Sequence, residues 1–100
     1  MSKSLEQTFT EDRRLVVLRI LLQSGGYAAN EYMLKTMLPQ LGHHVSSDRV
    51  HTDLAWLEEQ QLLRIATVAD VRIATLTERG QDVATGVATV PGVKRPTASD

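Results

Sequence analysis

One hundred residues make a single domain, with room for an adequate but small core. Eleven basic against twelve acidic residues leave the chain near neutral, so any grip on phosphate must come from how charge is distributed. The absence of cysteine excludes disulfides and thiolate metal sites, and no apolar run approaches the ~20 residues that span a bilayer. Nothing resembles a signal peptide, so the expectation is a cytoplasmic protein without membrane partners.

In chain order, residues 1–9 read as an N-terminal arm. Thr8 and Glu11 offer a capping box, with Thr10 as an alternative cap, and open a first helix from about Glu11 to Gln23 that stops at Gly25-Gly26. Leu15, Val16, Val17, Leu18, Ile20, Leu21 and Leu22 make this helix apolar almost all the way round, broken by Arg19. Such a helix must be covered on every side. One face meets the core. The other is expected in a homodimer interface through Val17 and Leu21, unless the last helix covers it within one chain.

Asn30 can cap a second helix carrying Met33, Leu34, Met37, Leu38 and Leu41. Pro39 lacks an N–H and crowds the preceding turn, so a break or kink is expected near Leu38. Gly42 then turns the chain. Ser46 precedes a third helix whose Val50, Leu54 and Leu57 fall on one stripe, ending near Gln60 or Gln61. Leu63–Val68 and Val71–Leu76 are rich in Ile, Val and Thr and read as a hairpin. A two-residue turn at Ala69-Asp70 pairs Val68 with Val71, Ala66 with Ile73 and Arg64 with Thr75. Thr77 caps a short last helix that ends near Gly86, and residues 89–100, with two prolines, read as a flexible tail.

The order points to an α+β fold. It is a winged helix-turn-helix over residues 10–88, with three helices, a two-stranded β-hairpin wing and a short C-terminal helix. The segments EDRRLVVLRILL, GYAANEYML, LGHHVSSDRVHTDLAWLEEQQLL, ATLTERGQDVATG and VPGVKRP resemble a family of small proteins of Mu-like phages and prophages. The resemblance covers roughly residues 10 to 96. Members are often labelled regulators similar to the arsenic-repressor family, and they also resemble neighbours of phage head and packaging genes. The label rests on fold, and fold does not fix function.

The resemblance implies a small DNA-binding regulator or packaging-site reader acting as a dimer. The alternative is a protein-interaction module of head assembly or packaging that keeps the fold without DNA. The metal sensing of arsenic-type repressors finds no support: the Cys sites are missing, and His43, His44 and His51 read as loop or solvated histidines. No triad, phosphate-cradling loop or carboxylate pair suggests an enzyme or a cofactor.

For double-stranded DNA, the third helix would enter the major groove. Between Ser46 and Leu62, Arg49 stands against Asp48, Asp53, Glu58 and Glu59, a poor balance for meeting phosphates. Entry by the helix N-terminus leaves Ser47, Asp48, Arg49 and Thr52 as readers, because Arg, Asp and Thr can all contact base edges. Arg64 and Arg72 on the wing and Lys94 and Arg95 on the tail are the expected phosphate contacts, with Lys35, Arg13 and Arg14 as further cations. Trp56, at the edge of the apolar stripe, is expected to pack under the hairpin or against the N-terminal part of the chain.

Overall fold

Among the described residues the chain forms four α-helices and a three-stranded antiparallel sheet. The computed structural model describes residues 2–98; Met1 of the expected arm and Ser99 and Asp100 of the expected tail lie outside them. Helix α1 spans Leu5–Gln23, starting six residues before the Glu11 expected from caps at Thr8 or Thr10. Its true cap is Ser4. The Ser4 hydroxyl accepts from the Gln7 N–H at 3.1 Å, and the Gln7 side chain accepts from the Ser4 N–H at 2.9 Å. This reciprocal box satisfies two orphan donors and holds a helical turn that buries nothing. Residues 5–9 of the expected arm are therefore helix.

A 3-10 turn, Gly25–Tyr27, leads into strand β1, Ala28–Asn30, which the sequence reading lacked. Helix α2 spans Glu31–Gln40, and the Asn30 side chain accepts from the Met33 N–H at 2.8 Å. Pro39 does not break it at Leu38. The helix continues one residue past the proline, and the Leu38 carbonyl then accepts from both Leu41 N–H and His43 N–H. The missing donor of Pro39 thus falls in a last turn that is already closing.

Helix α3 spans Ser47–Glu59 under the Ser46 cap. Strands β2, Leu63–Val68, and β3, Val71–Leu76, pair in the expected register, Val68 with Val71 and Arg64 with Thr75. Ala69 and Asp70 both take left-handed backbone angles, φ 50° and 66°. That turn suits the right-handed twist of a hairpin even without glycine. Strand β1 pairs antiparallel with β3, giving the order β1-β3-β2. Helix α4, Glu78–Thr85, is capped by Thr77 and ends at the left-handed Gly86. An element order of this kind is compatible with a winged-helix arrangement.

The core settles how α1 is covered. Val17 and Leu21, expected in a subunit interface, are fully buried within the single chain. They belong to one core cluster that also takes in Val83 and Ala84 of α4 and Val90 and Val93 of the tail. The outward stripe of α1 is instead Val16 and Ile20, both only partly buried.

The tail is docked over its first half rather than free. Gly92 O accepts from Arg14 Nη1 at 2.9 Å, and Lys94 N–H donates to Glu11 O at 3.1 Å. Gly92 sits at φ 97°, and a Cβ there would meet the Trp56 ring at 2.8 Å. Burying two valines repays the ordering of a segment whose composition alone looked solvated. Among the described residues no helix is long and apolar enough to cross a membrane.

Candidate functional site

Helix α3 shows three sides. Val50, Leu54 and Leu57 face the core. Asp48, Thr52, Ala55 and Glu59 face solvent. The two flanks carry the polar anchors that set the helix in place.

On the flank toward α1, Asp53 is buried and holds Arg13, also buried. Arg13 Nε and Nη2 each donate to a carboxylate oxygen, the second at 3.1 Å. Arg13, expected as a further cation for DNA, and Asp53, counted among the acids of the helix, are both removed from solvent. An ion pair this deep survives only when its two partners match, because each charge alone would be strongly penalised. Beside it the Arg14 guanidinium stacks 3.8 Å above the Trp56 ring. Burial lowers the Arg14 pKa, with nearby Asp53 opposing and Arg13 adding to that direction. Trp56 thus packs against α1, one of its two expected positions, and also against the tail. Arg49, seven residues before Trp56, emerges on this same flank and is exposed.

The flank toward the hairpin is built on Glu31, the first residue of α2. Its Oε2 accepts from the Arg72 backbone N–H at 2.7 Å and lies 3.6 Å from Arg72 Nη1. Its Oε1 lies 3.1 Å from His51 Nε2, which is itself 3.3 Å from Arg72 Nη1. Nε2 therefore either donates to Glu31 or accepts from Arg72. The backbone donor from Arg72, then the His51 hydrogen bond, hold the Glu31 carboxyl below its ordinary pKa. Further along the flank, Glu58 Oε2 accepts from the Ile65 N–H at 2.7 Å, so this acid pins the start of the hairpin.

The depressed Glu31 carboxyl makes a pH prediction. A lowered folded-state pKa gives stability that is complete above the unfolded value, about 4.3, and lost as pH falls through the folded value. Thermal unfolding of the unmodified chain should weaken as pH falls below the unfolded value and through the folded one, and Glu31→Gln should flatten that slope. Parallel curves for the two proteins would reject this role for Glu31.

The expected site residues fall into three groups. Ser47, Asp48, Arg49 and Thr52 lie together, exposed, on the first two turns of α3, with the Thr52 hydroxyl donating to the Asp48 carbonyl. Arg72 joins them through His51. Arg64 does not: it pairs with Thr75 while Arg72 pairs with Thr67, which places the two arginines on opposite faces of the hairpin. Lys94 is held on α1, with Nζ 3.4 Å from Asp12 Oδ1, and Arg95 is exposed beyond it. Lys35 is turned inward to the Val45 carbonyl. The Glu31–His51–Arg72 set went unread, although an acid directly after a cap residue is a recognisable start. Among the described residues no group of three His, Asp or Glu side chains could hold a metal ion.

Two relatives share most of this chain. The "Uncharacterized protein gp26" of Escherichia phage Mu is 48% identical over 92 residues, covering 92% of this chain and 95% of its own. The chain belongs to the gp26 family. An uncharacterised protein of Haemophilus influenzae is 46% identical over 77 residues, 76% of this chain and 74% of its own. No family profile matches the chain. Phage association, read from the sequence as a resemblance, thus rests on a protein of phage Mu itself. In the gp26 family the shared stretch takes in nearly all of this domain, so the two flanks of α3 lie within the compared region.

Proposed function

We propose that this protein binds duplex DNA as a winged-helix module of Mu-like phage type, serving as a small regulator or packaging-site reader. The observation that carries the reading is the disposal of acid around α3. Of its four carboxylates, Asp53 is buried on Arg13 and Glu58 is committed to the Ile65 N–H. The outward N-terminal half is left with Asp48, Arg49 and Thr52, flanked by Arg72. A helix entering the major groove by its N-terminus would carry these to base edges and leave Glu59 outside. In this arrangement Arg72 serves the backbone beside α3, and Arg64 serves a different strand or none.

Selection from genomic fragments at low salt is the test. Arg49→Ala and Thr52→Ala are expected to relax sequence preference, with a bidentate Arg–guanine contact worth about 1–3 kcal/mol. Arg72→Ala should weaken binding to all sequences and flatten the salt dependence. Glu59→Gln adds a sign test: a DNA binder gains affinity, whereas a module docking on a basic protein loses on-rate. Recovery of no enriched sequence from the unmodified protein sinks the proposal.

A further inference from the structure

Helix α1 is longer than the domain it packs in. Its buried side chains begin at Arg13, and Leu5 to Phe9 are exposed, ~8 Å of capped helix that stands off the core. That overhang carries Leu5, 70% exposed, and Phe9, 53% exposed, one turn apart. At ~100° per residue, Leu5, Phe9, Val16 and Ile20 fall within about 60° of one another. The helix therefore carries two apolar pairs on one side, separated by two turns around Asp12 and Arg13.

The second pair opens into a groove. Val16 and Ile20 line a cavity of about 860 Å3 with Ala29 of β1, Met33 and Met37 of α2, and Ile73 of β3. Its charged lining residue is Arg19. The exposed turns carry Glu6 and no base, while behind them Glu11 is paired with Lys3 and Asp12 with His43 and Lys94. Groove and overhang are complementary in apolar character and, between Glu6 and Arg19, in charge.

We infer that the overhang of one copy fills the groove of a second copy, in a two-fold dimer. If α1 runs antiparallel to its counterpart about a point between Asp12 and Arg13, Leu5 faces Ile20 of the second copy and Phe9 faces Val16. The four-residue spacing of both pairs makes this side complementary to itself, as an isologous contact requires. Met33 and Met37 are unbranched and adapt to a ring entering between the helices. Asp12 lies near the axis, where two carboxylates would meet. His43 Nε2 at 2.7 Å and Lys94 Nζ at 3.4 Å already sit on its two oxygens. This dimer is independent of whether DNA is bound.

Sedimentation equilibrium of the full chain should give twice the chain mass of 11.1 kDa. Leu5→Glu with Phe9→Glu should give a folded monomer, since both side chains are exposed in one copy and helical circular dichroism is expected unchanged. A second variant fixes the register. The chain has no native cysteine. A Phe9→Cys and Val16→Cys pair is separated by ~10 Å along one helix, too far to bridge within a chain. Oxidation should therefore cross-link two chains. A monomeric unmodified protein overturns the inference and leaves the groove to a different protein. A dimer that survives the double glutamate change, or that fails to cross-link, overturns it by placing the contact elsewhere.

Discussion

Asp53→Ala is expected to cost the fold about 3–5 kcal/mol, much of the ~5–15 kcal/mol that a domain has in total. The reason is what remains. Arg13 is buried against α3, and both of its donors to Asp53 lose their acceptor. Its guanidinium cannot shed its charge, and it must stay desolvated and unpaired or pull α1 away from α3. Denaturant unfolding measures the loss directly, and a change below about 1 kcal/mol would show the pair to be incidental. A paired replacement separates charge from contact. Arg13→Met with Asp53→Leu should recover most of the loss, because matched apolar side chains avoid desolvating an ion. That double variant should also keep any DNA binding, since neither residue reaches the outward side of α3.

Gly80→Ala is the second large effect. Gly80 lies in the first turn of α4, where the helix crosses the end of the segment joining α3 to β2. An added Cβ would stand 2.0 Å from the Leu62 carbonyl oxygen and 2.6 Å from Leu76 Cδ1. The side chain can turn away, but the carbonyl cannot. It already accepts from Thr77 N–H at 3.2 Å, the residue that caps α4. Overpacking usually costs about 1–3 kcal/mol, and a clash with fixed backbone belongs at or above the upper end. Gly25→Ala is the control, because a Cβ there meets nothing within 4 Å. Loss of Val83 and Ala84 from the core through displacement of α4 should expose α1, so the Gly80 variant is expected to bind a hydrophobic dye. Equal stability of the two variants would reject this close approach.

Where the sequence and the structure of the site part, the cause differs from residue to residue. In the sequence Asp53 counts as one of four acids set against Arg49 on the third helix. Only the approach of Arg13, 40 residues earlier, makes it buried. Glu58 looked like one of two tandem acids, but the hairpin returns its Ile65 N–H to one of them and not the other. Arg72 and Arg64 looked equivalent as wing cations. The register that the sequence reading itself supplied already places them on opposite faces, so that distinction was legible and went unused.

The helix caps at Asn30, Ser46 and Thr77, the hairpin with its register, and the stop at Gly86 are all readable from the chain. Each depends on hydrogen bonds or backbone preferences spanning a few residues, so the local sequence holds both partners. Membership of a phage-type family is carried the same way, residue by residue. The short β1, the docking of Val90 and Val93, the burial of Val17 and Leu21, and the Glu31–His51–Arg72 and Arg13–Asp53 anchors belong to the tertiary structure. Three residues of β1 have too little pattern to declare a strand until β3 offers its edge. A helix apolar all round states that it must be covered and not by what. That choice is made by which surfaces the folded chain brings within reach, here its own last helix and tail.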